Sequence, residues 1–219
     1  MKLNILGTAI LTMAIVAGTT AEADLASRTK GQEINSPFMR VYGRSLPPIG
    51  HVVFCDQFPT ECKRSRPKRA QVALTRDRKA DLRAINDLVN RMVRPVSDMK
   101  LYGRIEHWTY PNGEGDCEDY VLLKRRLLIE RGWPASSLLI TVVRDENNEG
   151  HAVLTVRTSK GDYLLDNKRA EIMTWNESRY TFIKRQSGRN PKVWVSLSIP
   201  SRNPLPKRTA DTGANKPKH

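Results

Sequence analysis

Cys117, His151 and Asp166 are the residues of this chain whose chemistry and setting point furthest. Cys117 lies in Gly113-Glu114-Gly115-Asp116-Cys117-Glu118-Asp119-Tyr120, between a glycine-broken turn and a run of good helix formers over 118–131 that stops at Gly132 and Pro134. The cysteine therefore falls in the first turn of a helix. There the free amide groups and the positive dipole end favour thiolate over thiol, lowering the pKa from its usual value of about 8.5. A cysteine tucked under a helix start is the ordinary alternative, but Gly-Asp-Cys-Glu-Asp is not an apolar pocket. His151 opens a strand predicted over 151–157, and Asp166 closes its antiparallel return over 162–167. Counting around the turn at 158–161 sets Asp166 opposite 153–155, so a bulge or longer loop is expected if the acid is to meet His151. Thiol, imidazole and carboxylate are the parts of a Cys-His-Asp triad. The histidine takes the thiol proton, the acid fixes the imidazole tautomer and stabilises its charged form, and the Cys117 amide helps to stabilise an oxyanion.

Several elements must hold these groups. Leu82, Ile85, Leu88, Val89, Met92 and Val93 recur at spacings of three and four, which predicts an amphipathic scaffold helix over 76–94 that stops before Pro95. The looser segment 96–112 carries Asp98, Tyr102, Glu106, His107 and Trp108. Trp108 either lines a cleft or is an ordinary packed aromatic. The continuous apolar, β-branched run at 138–143 predicts a central buried strand. The acidic stretch after it, from Asp145, is a turn: as a calcium loop of the EF-hand type it would place Val156 where a bidentate glutamate is needed.

Across the whole chain of 219 residues, Met1-Lys2, an apolar stretch over 5–17 and Ala21-Glu22-Ala23 read as a signal peptide over 1–23, with the exported chain starting near Asp24. The remainder over 24–199 suits one domain. The net charge of +14 comes without an aromatic-interleaved basic strip or nucleic-acid motif, so nucleic acid is not an expected partner and the basic surface suits acidic or anionic ones. Of three cysteines, Cys55 and Cys62 lie seven residues apart and suggest a disulfide, with two free thiols or a metal site as alternatives; His51 beside them is expected to be structural. That leaves Cys117 unpaired in an oxidising compartment, the setting of a reactive thiol. The proline-rich basic tail at 200–219 is expected to be disordered.

At Gly115-Asp116-Cys117-Glu118-Asp119, Gly150-His151-Ala152 and Leu165-Asp166-Asn167 the chain resembles the bacterial transglutaminase-like cysteine proteinases, and the likeness extends over most of 24–199. The resemblance implies an α+β, papain-like or transglutaminase-like core with its nucleophile at a helix N-terminus packed on an antiparallel sheet, and Cys117, His151 and Asp166 as catalytic residues. It implies a periplasmic cysteine protease of the LapG type, calcium-dependent, clipping a large surface adhesin to release a biofilm and sequestered by an inner-membrane receptor; separately from the resemblance, the chain is expected to be a monomer. Calcium has a separate physical motive, because Asp116, Glu118 and Asp119 surround a sulfur that must become negative, and a divalent cation would reverse that penalty. Capping of the helix by the same acids is an equal alternative from the residues alone, and the resemblance favours calcium. The triad itself is compatible with acyl transfer to an amine, and the fold with a non-catalytic binding module.

Overall fold

The computed structural model describes residues 36–64 and 71–199. The expected signal peptide over 1–23, the start near Asp24 and the basic tail at 200–219 lie outside the described residues. The helices are α1 (Ile49–Gln57), α2 (Arg76–Met92), α3 (Asp98–Tyr102) and α4 (Cys117–Glu130). The strands are β1 (Gly43–Ser45), β2 (Arg94–Pro95), β3 (Glu114–Gly115), β4 (Leu138–Arg144), β5 (Gly150–Thr158), β6 (Gly161–Leu165), β7 (Met173–Thr174), β8 (Thr181–Ser187) and β9 (Asn190–Ser196). No helix among the described residues is long and apolar enough to cross a membrane.

The architecture is the expected α+β. Seven strands form one antiparallel sheet in the order β1-β9-β8-β4-β5-β6-β7, with β4, the predicted buried strand, at its centre. A strand in that position is covered on both faces, which is why its sequence is continuously apolar rather than alternating. Alternation survives in how the side chains are shared. Ala152, Leu154 and Val156 of β5 join the main core with α2 and α4, while Val153 joins a smaller cluster with Met39, Val143, Leu164 and Leu197.

Helix α2 begins where the Thr75 hydroxyl accepts the Arg78 amide at 3.2 Å and ends at Met92, three residues before Pro95. It buries Leu82, Ile85 and Val89 as the periodicity predicts, whereas Met92 is exposed. It also buries Asn86, which the apolar pattern does not flag. Past α2, β2 and β3 pair in parallel, Arg94 with Glu114 and Pro95 with Gly115, so the glycine turn before Cys117 is tied to the end of α2. Cys55 and Cys62 form the disulfide, with Cα atoms 5.5 Å apart. His51 is buried beside it, and burial together with the Arg125 charge lowers its pKa to about 4, so it is a neutral packing residue.

Candidate active site

Cys117 is the first residue of α4. The turn before it depends on two glycines for different reasons. Gly113 has a left-handed φ of 78°, and Gly115 leaves room for Asp119, whose Oδ2 would lie 2.6 Å from a Cβ at that position. Asp116 occupies the N-cap position in extended conformation without making a side-chain cap; its Oδ2 instead accepts the Asp98 amide at 3.2 Å. The half-buried Cys117 thiol donates to Glu118 Oε2 at 3.1 Å. Contrary to the lowering expected of a helix start, its pKa is pushed well up, first by burial, then by the Glu118 charge and hydrogen bond and by Asp116, against which the Ala152 amide pulls it down. Cys117, Trp108, Ile49, Val142, His151 and Lys184 line one cavity of about 390 Å³. Both sequence readings of Trp108 hold, because it is buried in the core, lines this cavity, and donates from Nε1 to Glu106 Oε2 at 2.9 Å.

His151 lies in β5 and is buried, and its Nε2 is 2.9 Å from Asp166 Oδ1. No bulge is needed to bring them together. The ladder runs Leu154 to Leu165 through Thr158 to Gly161 without a shift, and one step further sets Asp166 opposite Val153. His151 is then the diagonal neighbour of Asp166 on the same side of the hairpin, within reach of a long side chain. With Nε2 held by Asp166, Nδ1 is the nitrogen left for the thiol proton, and the two groups face the same cavity.

The second Asp166 oxygen is also used. Tyr180 donates its hydroxyl to Oδ2 at 2.5 Å, and the Lys168 amide donates to Oδ1 at 2.9 Å. Burial alone would raise the carboxyl, but the His151 hydrogen bond and charge and the Tyr180 hydrogen bond hold it below its ordinary range. Tyr180→Phe removes one of these bonds and keeps the ring that packs edge-on against His151 at 5.8 Å. It is expected to slow turnover about tenfold with KM unchanged, as measured by steady-state kinetics. Sequence reasoning missed Tyr180 because it lies 14 residues beyond Asp166, outside the hairpin that carries the acid.

The acids beside the nucleophile divide into two groups around Asp116. In one, Asp116, Cys117 and Glu118 face each other; in the other, Asp98, Asp116 and Asp119 bring carboxylate oxygens within 4.8 Å of one another. Asp119 Oδ1 accepts the Thr109 amide at 2.9 Å, and Asp98 Oδ2 accepts the His107 amide. The other oxygens, Asp98 Oδ1, Asp116 Oδ1 and Asp119 Oδ2, are buried and have no partner. Burial and the neighbouring Asp116 charge push Asp119 up to about 8 and raise Asp98, and the same two causes push Glu118 to about 9. Three convergent, unsatisfied hard oxygens fit a divalent cation of the calcium type. Of the expected ligands, Asp116 and Asp119 lie in this group and Glu118 is turned to the thiol. Asp98 joins them from α3, a contact over 18 residues of chain with no local sequence signal.

No curated protein sequence matches the chain. Among solved structures, calcium-bound LapG of Legionella pneumophila is 22% identical, with a TM-score of 0.48 over 55% of this chain and 70% of that one. EGTA-treated LapG of the same organism is also 22% identical, with a TM-score of 0.46 over 54% and 67%. The model of the bacterial transglutaminase-like cysteine proteinase family matches residues 41–202, which include the cysteine at a helix start and the histidine-aspartate hairpin. The chain therefore belongs to the bacterial transglutaminase-like cysteine proteinases and is a cysteine protease.

Proposed function

We propose that Cys117, His151 and Asp166 form the catalytic triad of a calcium-dependent endopeptidase that acts outside the cytoplasm on a large surface adhesin. The observation that carries this is the buried His151–Asp166 pair, 2.9 Å apart, whose histidine lines the same cavity as the one free cysteine among the described residues. In acylation, His151 accepts the Cys117 proton at Nδ1 and the sulfur attacks the peptide carbonyl. The Cys117 amide at the start of α4 faces the developing oxyanion, and His151 returns the proton to the leaving amine. Water then hydrolyses the thioester by the same proton route. Asp166, held by Tyr180 and Lys168, keeps the imidazole in one tautomer throughout.

Asp98, Asp116 and Asp119 would hold calcium, which when bound supplies positive charge beside the thiolate. Asp98→Asn and Asp119→Asn are each expected to weaken calcium binding at least tenfold in titration calorimetry. Unchanged affinity in both would remove the cluster from the calcium site. Export rests on the N-terminal sequence and the adhesin on the family resemblance; sequestration by an inner-membrane receptor has the same basis.

Incubating the full chain with the N-terminal region of a large surface adhesin from the same genome tests the substrate. The expected result is cleavage that requires Cys117 and calcium and yields products one water heavier in sum. No cleavage, with or without calcium, would remove the adhesin. A product carrying an added amine in place of water would convert the reading to acyl transfer.

A further inference from the structure

Beneath the triad lies a polar assembly that the reaction does not use directly. Lys124, on the inner face of α4, is fully buried, and its Nζ donates to Asn86 Oδ1 at 2.8 Å. The same oxygen accepts the Asp166 amide at 3.1 Å. Asn86 Nδ2 donates to the Arg169 and Ala170 carbonyls, each at 3.0 Å. One turn along α2, Asn90 Nδ2 donates to the Asp166 carbonyl at 2.9 Å and the Arg169 carbonyl at 3.1 Å. Two asparagines of α2 therefore grip the backbone of 166–170 on both sides of the triad acid, and a lysine of the nucleophile's own helix locks one of them.

We propose that Lys124, Asn86 and Asn90 are positioning residues that hold Asp166 in register with His151, linking the helix that carries the nucleophile to the loop that carries the acid. The inference rests on the triad proposed above. A buried ammonium is costly, and an apolar residue of similar volume there would be neutral or stabilising for the fold, so stability does not explain the choice of lysine. Burial lowers the Lys124 pKa to about 7 against the opposing pull of Asp166. Besides Asn86 and Asp166, the Tyr120 ring faces the ammonium at 5.8 Å, with its own hydroxyl committed to the Val93 carbonyl. In either protonation state Lys124 retains a donor for Asn86.

The test compares Lys124→Met, Asn90→Ala and His151→Ala in the calcium-loaded full chain. It measures the rate of Cys117 alkylation by iodoacetamide at pH 7 and, by NMR, the His151 Nε2 proton bonded to Asp166. Lys124→Met is expected to keep or raise the thermal midpoint, yet slow alkylation about tenfold and broaden the imidazole proton by solvent exchange. Asn90, partly exposed, provides a variant that folds should Lys124→Met not, and the same losses are expected of it. Lys124→Gln, which keeps a neutral donor, is expected to recover the rate to within about threefold of wild type. If Lys124→Met and Asn90→Ala fold and leave both the rate and the imidazole proton unchanged while His151→Ala slows alkylation, the positioning role is overturned and the triad stands. If His151→Ala is also without effect, the triad itself has failed.

Discussion

His151→Ala is expected to lower kcat for peptide-bond hydrolysis by about 10³- to 10⁴-fold, with KM changed little. Two losses combine. The thiol no longer has a base: its hydrogen bond is to Glu118, a group that opposes ionisation. The leaving amine no longer has a proton donor. Asp166→Asn is expected to approach the same loss by a different route. An asparagine amide at that position can present a donor to Nε2, which would favour the wrong tautomer, and it leaves the Tyr180 hydroxyl and the Lys168 amide with a poorer partner. The two substitutions together should cost little more than either alone, because they act on one unit. Steady-state kinetics on a cleaved peptide checks all three; additive losses would show that His151 and Asp166 work separately.

The second large effect concerns pH and calcium. Asp119 is raised from 3.8 to about 8 in the fold and Glu118 from 4.5 to about 9, both by burial first and the Asp116 charge next. Over this interval the folded chain binds more protons than the unfolded one, so these groups stabilise it fully below about pH 4 and the contribution is lost as pH rises through 8 to 9. In the presence of a chelator the thermal midpoint should therefore fall by several degrees, roughly, between pH 5 and pH 8.5. Saturating calcium should reverse the trend at the alkaline end, because a cation binds the deprotonated cluster in place of the protons. A midpoint that rises over this range in chelator, or that calcium leaves unmoved at pH 8.5, would refute the account of the acid cluster.

The parts of this protein that announce themselves in the sequence are those whose chemistry is local. The start of α4 is marked by glycines and acids around Cys117, β4 by an unbroken apolar run, and the β5–β6 hairpin by its turn, so the fold class and the elements that carry Cys117, His151 and Asp166, the proposed triad, follow from short stretches. The hairpin register also followed, except that a diagonal contact replaces the expected bulge. What stayed hidden depends on contacts between distant segments. Asp98 reaches Asp116 from a five-residue helix, and Asn86 falls on the buried face of α2 among leucine, isoleucine and valine, where it reads as a break in the pattern. Lys124 sits in a run of charged and apolar residues that looks solvent-facing until α2 is packed against it. Tyr180 lies in a stretch without periodicity. Each of the four meets its partner only once the tertiary fold has formed.

The most direct test of the central claim is the pH dependence of Cys117 alkylation, read by mass spectrometry with calcium present or chelated, in the wild type and in His151→Ala. With calcium, a reactive thiolate well below pH 8 is expected, weakened when His151 is removed. In chelator the thiol should become sluggish and titrate above its ordinary value, as burial and the Glu118 charge dictate. A thiol that titrates near about 8.5 under every condition, and identically without His151, would contradict the assignment of Cys117 as an activated nucleophile.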